Sequence, residues 1–128
     1  MNIPTELRYT KEHEWVRVKG QEAEVGVTDF AQGELGDVVF VELPAVGTRV
    51  TQMKSLGTID AVKTVSDLFA PLSGEIVAVN ADLKLNPALV NQSPYEKGWM
   101  VRIKISSPAE IDSLLNADGY GRVIGAHA

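Results

Sequence analysis

The chain contains no cysteine. That excludes a disulfide framework, a cysteine nucleophile and any thiolate metal site. Histidine is nearly as scarce, with only His13 and His127. His127 stands beside the C-terminus, where chain ends are commonly poorly ordered. His13 lies in Lys11-Glu12-His13-Glu14-Trp15. A His–Glu pair can bind metal, but one histidine supplies no four-ligand site, so a structural role at the start of a strand is the expectation. No apolar run approaches the ~20 residues of a membrane span. Residues Met1 to Glu6 show no basic stretch followed by an apolar one, so neither a signal peptide nor a membrane partner is expected, and the setting reads as cytoplasmic. Basic residues number 12 against 17 acidic, for a net charge of −5. They form no cluster, so nucleic acid is not an expected partner. There is no Gly-rich phosphate loop, no dinucleotide fingerprint and no nucleophile elbow. No close carboxylate pair can be argued from the sequence. The chain is therefore expected not to be an enzyme by itself.

What remains is an ordinary apolar fraction, 45% of 128 residues, enough for one domain spanning 1–128 with its own core. Most of it reads as short strands. Glu14 to Lys19 alternates apolar and polar residues, Gly20-Gln21 turns, and Ala23 to Val27 runs back. Asp37 to Leu43 is β-branched and aromatic, the strongest strand pattern in the chain. Further strands are expected at Leu56 to Asp60, Val65 to Phe69, Glu75 to Val79 and Trp99 to Ile105. Helices are few and short. Thr28 caps a first one that Gly33 or Gly36 ends. Asn86-Pro87 reads as a cap followed by proline at the first helical position. Ser107-Pro108-Ala109-Glu110 reads as a capping box, the clearest helix start in the chain. The tail beyond Gly119 looks weakly helical, since each of its glycines costs about 1 kcal/mol against alanine.

One lysine has unusual surroundings. Lys63 falls in the turn between two apolar strands, Leu56 to Asp60 and Val65 to Phe69. Gly36-Asp37-Val38-Val39-Phe40-Val41 precedes it and the similar Gly74-Glu75-Ile76-Val77-Ala78-Val79 follows. Two related β units would place the intervening turn at one end of a sandwich; two ordinary glycine-led strands remain the alternative. An exposed lysine often serves solubility or blocks edge pairing. A hairpin tip, however, is also a mount that leaves a long side chain free to sweep, as a covalent group carrier requires.

The residues resemble the glycine cleavage H protein family over nearly the whole chain. The resemblance runs through Tyr9 to Trp15, Val25 to Gln32, Leu35 to Pro44, Val62 to Val77, Leu89 to Tyr95, Gly98-Trp99 and Leu114 to Ala117. It implies a mainly β fold, the lipoyl/biotinyl-type barrel-sandwich hybrid of two antiparallel sheets with short added helices, one near the C-terminus. Lys63 matches the lysine that carries lipoic acid as lipoyl-lysine. The implied partners are the pyridoxal-phosphate glycine decarboxylase (P protein), the folate-dependent aminomethyltransferase (T protein), the dihydrolipoyl dehydrogenase (L protein) and a lipoylating enzyme. The carrier would shuttle the aminomethyl group of glycine between the first two. Glu14 and Asp67 match positions lining the cleft where the loaded arm rests. A carboxylate there can hold a protonated amine by a charge-assisted hydrogen bond. As acids are mostly exposed, the plain reading of both is a solvated strand residue.

Asp60 and Gly74 match positions that the lipoylating enzyme recognises. The family usually has Glu-Ser-Val-Lys at the attachment site, whereas this chain has Asp60-Ala61-Val62-Lys63. Asp60 keeps the charge on a side chain one methylene shorter. The departure leaves open an H-like relay of lipoyl groups to 2-oxoacid dehydrogenases. A non-modified interaction module is a second alternative. A free-standing lipoyl or biotin domain fits less well: those are shorter, and the biotin type places methionines where Val62 and Thr64 stand. A monomer is expected.

Overall fold

The computed structural model describes residues 2–125. His127 lies outside the described residues. Among these residues nine strands form two antiparallel sheets. The larger sheet orders β1 (Arg8–Tyr9), β2 (Glu14–Lys19), β3 (Glu22–Val27), β9 (Val101–Ile105), β8 (Gly74–Val79) and β5 (Arg49–Val50). The smaller orders β4 (Val38–Glu42), β6 (Ser55–Ala61) and β7 (Val65–Phe69). Each expected strand is present, with ends within two residues of those read from the pattern. The two-residue strands β1 and β5 carry too little periodicity to be seen in the sequence.

The main core lies between the sheets. Val25, Val27, Ile76, Val101 and Ile103 from the larger sheet join Val38, Val41, Ile59 and Leu68 from the smaller. A second cluster gathers Leu7, Tyr9, Trp15, Tyr95 and Tyr120. No helix of the described residues is long and apolar enough to cross a membrane.

Strand β4 departs from simple alternation. Val38 and Val41 are buried, but Val39 and Phe40 between them are both exposed. The register with β6 slips between Val38 and Phe40. This β-bulge absorbs one residue and turns two successive apolar side chains outward.

The helices depart further from the sequence pattern than the strands do. Helix α1 (Asp29–Leu35) behaves as expected: the Thr28 hydroxyl accepts from the Ala31 amide at 3.2 Å, and Gly36, at φ 77°, ends it. Asn86, expected as an N-cap, instead closes α2 (Asp82–Leu85), its amide donating to the Asp82 carbonyl. Ala88 then precedes α3 (Leu89–Gln92) without any side-chain cap. The capping box at Ser107 does not form. Ser107 makes no cap bond, and Pro108–Ser113 is a 3-10 helix. The Glu110 carboxylate accepts from the Ser73 amide at 2.7 Å and the Ser73 hydroxyl at 2.9 Å. Two charge-assisted bonds to a neighbouring turn outweigh the single one a capping box would give it. The glycine-containing tail forms α4 (Ala117–Val123), capped by Asn116, whose side chain accepts from Gly119 at 2.8 Å. Tyr120 is fully buried and stacks on Tyr9 with centroids 4.8 Å apart. Packing of this aromatic face overrides the low glycine propensity.

Candidate functional site

Lys63 projects from the tip joining β6 to β7. The Ala61 amide donates to the Thr64 carbonyl at 2.8 Å, closing the turn. The Val62 amide donates to the Asp37 carbonyl at 3.0 Å, tying the tip to the start of β4. Asn91 on α3 fixes that start in turn. Its amide group donates to the Gly36 carbonyl at 2.8 Å, and its carbonyl accepts from the Val38 amide at 2.9 Å. The mount is thus anchored on both sides of Asp37, while the Lys63 side chain is exposed and makes no ion pair among the described residues. Its stem passes over Gly36. A Cβ there would lie 3.5 Å from the lysine Cδ and Cε, and the positive φ already favours glycine.

A cleft of about 290 Å³ opens between β7, α1 and the start of β2. Glu14 and Asp67 both line it, so the structure brings these two acids to one place. Val27, Phe30, Ala31, Leu35 and Ile59 supply its apolar wall. Glu14 is not a solvated strand residue: it is 1% exposed. Its carboxyl accepts from the Thr10 hydroxyl at 2.5 Å and from the Phe69 amide at 3.3 Å. Burial pushes its pKa up to about 8, against the pull of those two donors towards the ionised form. Asp67 is exposed and accepts a hydrogen bond from the Ser55 hydroxyl at 3.3 Å.

His13 backs the cleft. It sits at φ 73°, and its Nδ1 is 2.9 Å from the Tyr120 hydroxyl, which also pairs with the Thr28 hydroxyl at 2.6 Å. Its ring lies 5.0 Å from that of Phe30. Burial lowers the imidazole pKa, and Glu12 and Glu34 partly oppose this. This is the structural role the sequence suggested for it. The C-terminal helix therefore buttresses the far wall.

Asp60 and Gly74 occupy different parts of the fold. Asp60, on β6, pairs with Phe40 of β4 and Val65 of β7, so the three side chains share the outer face of the smaller sheet. Gly74 begins β8 in the other sheet, after β7 has carried the chain away from the tip. A Cβ on Gly74 would meet the Lys104 carbonyl oxygen at 2.0 Å, so close strand packing by itself demands glycine there. The two glycine-led units of the apparent repeat fall in different sheets, and their glycines answer to different constraints.

The sequence reading missed Asn91, the apolar wall of the cleft and the outward pair Val39-Phe40. Ala31 and Leu35, four residues apart behind the Thr28 cap, were a readable signal for the wall. No such signal marks the bulge, because Val38-Val39-Phe40-Val41 is a continuous apolar run that a strand buried on both faces would also give.

An exposed, anchored lysine can take a long acyl chain, and the neighbouring cleft offers an apolar wall with two carboxyl groups for its far end. The residues present thus fit a lipoyl group. Two antiparallel sheets with an anchored lysine at the tip of one hairpin give the frame of a swinging-arm carrier. The model of the glycine cleavage H-protein family matches residues 7–127. The H protein of Geobacillus thermodenitrificans (strain NG80-2) is 56% identical over 124 residues, covering 97% of this chain and 98% of its own. That of Staphylococcus carnosus (strain TM300) is 50% identical over 125 residues, covering 98% and 99%. The crystal structure of a glycine cleavage system H protein from Mycobacterium marinum superposes with a TM-score of 0.89 at 39% identity, covering 96% of this chain and 99% of that one. The chain belongs to the glycine cleavage H-protein family, whose members are carrier components of that system and not enzymes in themselves.

Proposed function

We propose that the chain is the lipoylated carrier of a glycine cleavage system, with lipoic acid in amide linkage to Lys63. In this reading the 128 residues form one carrier domain. It works as a cytoplasmic monomer. The lipoyl group, once attached, supplies the dithiol and disulfide chemistry of a chain that has no cysteine. Its partners are glycine decarboxylase, aminomethyltransferase, dihydrolipoyl dehydrogenase and the enzyme that attaches the lipoyl group. Tethering keeps the arm at high effective concentration wherever the carrier docks.

The observation that carries this reading is the placement of Lys63: exposed, on a turn anchored through Asp37, beside a cleft with buried Glu14 and exposed Asp67. Those two acids are assigned to receive the loaded end of the arm. A protonated amine entering the cleft would pair with them by charge-assisted hydrogen bonds. The apolar wall of Phe30, Ala31 and Leu35 would exclude water from it. Asp60 is assigned to recognition during lipoylation. Gly74 is assigned there too, its part being to permit the strand packing at β8.

The test is the intact mass of the protein incubated with a lipoylating enzyme and an activated lipoyl donor. One added lipoyl group, absent from Lys63→Ala, is the expected result. An unmodified wild-type mass, or a modification that survives Lys63→Ala, would overturn the reading.

A further inference from the structure

Asn91 touches both halves of the candidate site. Its side-chain amide stands on the open edge of β4, where a further strand would pair, and offers a donor and an acceptor as a peptide group does. Gly36 and Val38 turn their carbonyl and amide to that edge. Asp37 between them turns its carbonyl the other way, to Val62 of the hairpin. Closing the edge needs only the bonds to Gly36 and Val38. Asn91 makes a third: its Nδ2 donates to Gln32 Oε1 on α1 at 3.1 Å. Ala31 before Gln32 and Leu35 after it line the cleft. One side chain therefore holds the cleft wall, the end of α1 and the start of β4.

The lysine mount depends on that hold. Among the described residues, the Val62–Asp37 bond is the one hydrogen bond from residues 62–64 to anything outside their own hairpin. The mount therefore follows Asp37, and Asp37 follows Gly36, whose φ of 77° lies where glycine alone moves freely. The Lys63 stem passes over this same glycine. Rotation at Gly36 would swing the mount relative to α1 and the cleft. Asn91 removes that rotation by holding the Gly36 carbonyl at 2.8 Å, and its neighbour Val90 roots α3 in the main core.

We propose that Asn91 is a positioning residue for the arm: it fixes the distance and direction from the Lys63 mount to the cleft of Glu14 and Asp67. This rests on the carrier reading above. An arm on a fixed mount meets the cleft at high effective concentration. On a loose mount the same arm spreads over a wider volume and occupies the cleft less. Asn91 does not itself line the cleft. Its effect therefore shows in how far a cationic arm end, once seated there, stabilises the fold.

The test uses the full lipoylated chain. The arm is reduced with a phosphine, and its thiols are alkylated with 2-bromoethylamine, each displacing bromide, or with iodoacetamide as a neutral cap. The chain has no cysteine, so the arm holds the only thiols. Seated in the cleft, the amine cap should raise the melting temperature above that of the neutral cap. Asn91→Leu removes all three bonds. It should lose most of this gain, as expected for an effective concentration lowered about tenfold. Asn91→Ala should do the same, and gives a second reading should Asn91→Leu fail to fold. Glu110→Ala, which loses the Ser73 bonds in another part of the fold, should melt lower with either cap and keep the whole gain. A merely structural Asn91 would behave as Glu110 does. The full gain in a folded Asn91 variant would overturn the proposal and leave the carrier reading intact. A lipoylated wild type with no gain would also overturn it, since its arm does not settle in the cleft. A wild type that is never lipoylated would overturn both.

Discussion

Glu14 is the residue whose environment departs furthest from its sequence. In the chain it is one acid among 17, on a strand that alternates. In the fold it is a buried carboxyl with a pKa near 8. Well below pH 4.5, folded and unfolded chains both hold its proton, and it contributes nothing to the pH dependence of stability. Between there and about 8 the unfolded chain has released the proton while the folded one retains it. Stability therefore falls as pH rises through this window, by at most about 1.4 kcal/mol per pH unit, and levels off above it. His13 acts the other way. Its lowered pKa means stability is lost as pH falls through the ordinary histidine range. The difference between wild type and Glu14→Gln isolates the carboxyl. Urea midpoints across the window should fall with pH in the wild type relative to Glu14→Gln. Parallel curves would show that Glu14 ionises normally.

At the scale of elements, strands were more legible than helices, and the reason is physical. Alternation is set by which face of a strand meets the core, and one residue in two is apolar whatever lies beyond. Short helices are set by their ends, where several groups compete for the same donors. Ser107-Pro108-Ala109-Glu110 has the composition of a capping box, yet Glu110 bonds Ser73, which lies 37 positions away. No local pattern announces that partner. The consequence can be measured. Ser107→Ala should leave stability within about 0.5 kcal/mol of wild type, because no cap bond is lost. Glu110→Ala should cost about 1–2 kcal/mol, because the Ser73 amide and hydroxyl both lose a charged acceptor. Equal effects of the two substitutions in denaturant melts would restore the capping box. The candidate site divides in the same way. Lys63, in a turn between two strand patterns, was readable from its position. The Asn91 clamp and the bulge that exposes Phe40 depend on register between distant segments, which composition does not encode.

At the scale of the molecule, the site and the stability lie in different places. The two ends of the described chain close on each other: Tyr9 and Leu115 exchange backbone hydrogen bonds at 2.8 Å each, and the Tyr9 ring stacks on Tyr120. Tyr120 then holds Thr28 and His13 through its hydroxyl, so the aromatic cluster that joins the ends also supports the cleft. Lys63 has no such ties beyond the turn that carries it. Two substitutions should separate these roles. Tyr120→Ala removes a fully buried ring and leaves a cavity against Tyr9, a change that typically costs about 3–5 kcal/mol. The Thr28 and His13 groups also lose their partner. Lys63→Ala removes an exposed side chain and should shift stability by no more than about 0.5 kcal/mol while abolishing acceptance of the lipoyl group. Tyr120→Phe lies between. It keeps the stack and loses only the hydroxyl, and should cost about 1–2 kcal/mol. Denaturant midpoints and intact masses of the three variants test this together. If Lys63→Ala melts as early as Tyr120→Ala, the lysine is part of the frame, and a freely sweeping arm on that tip is untenable.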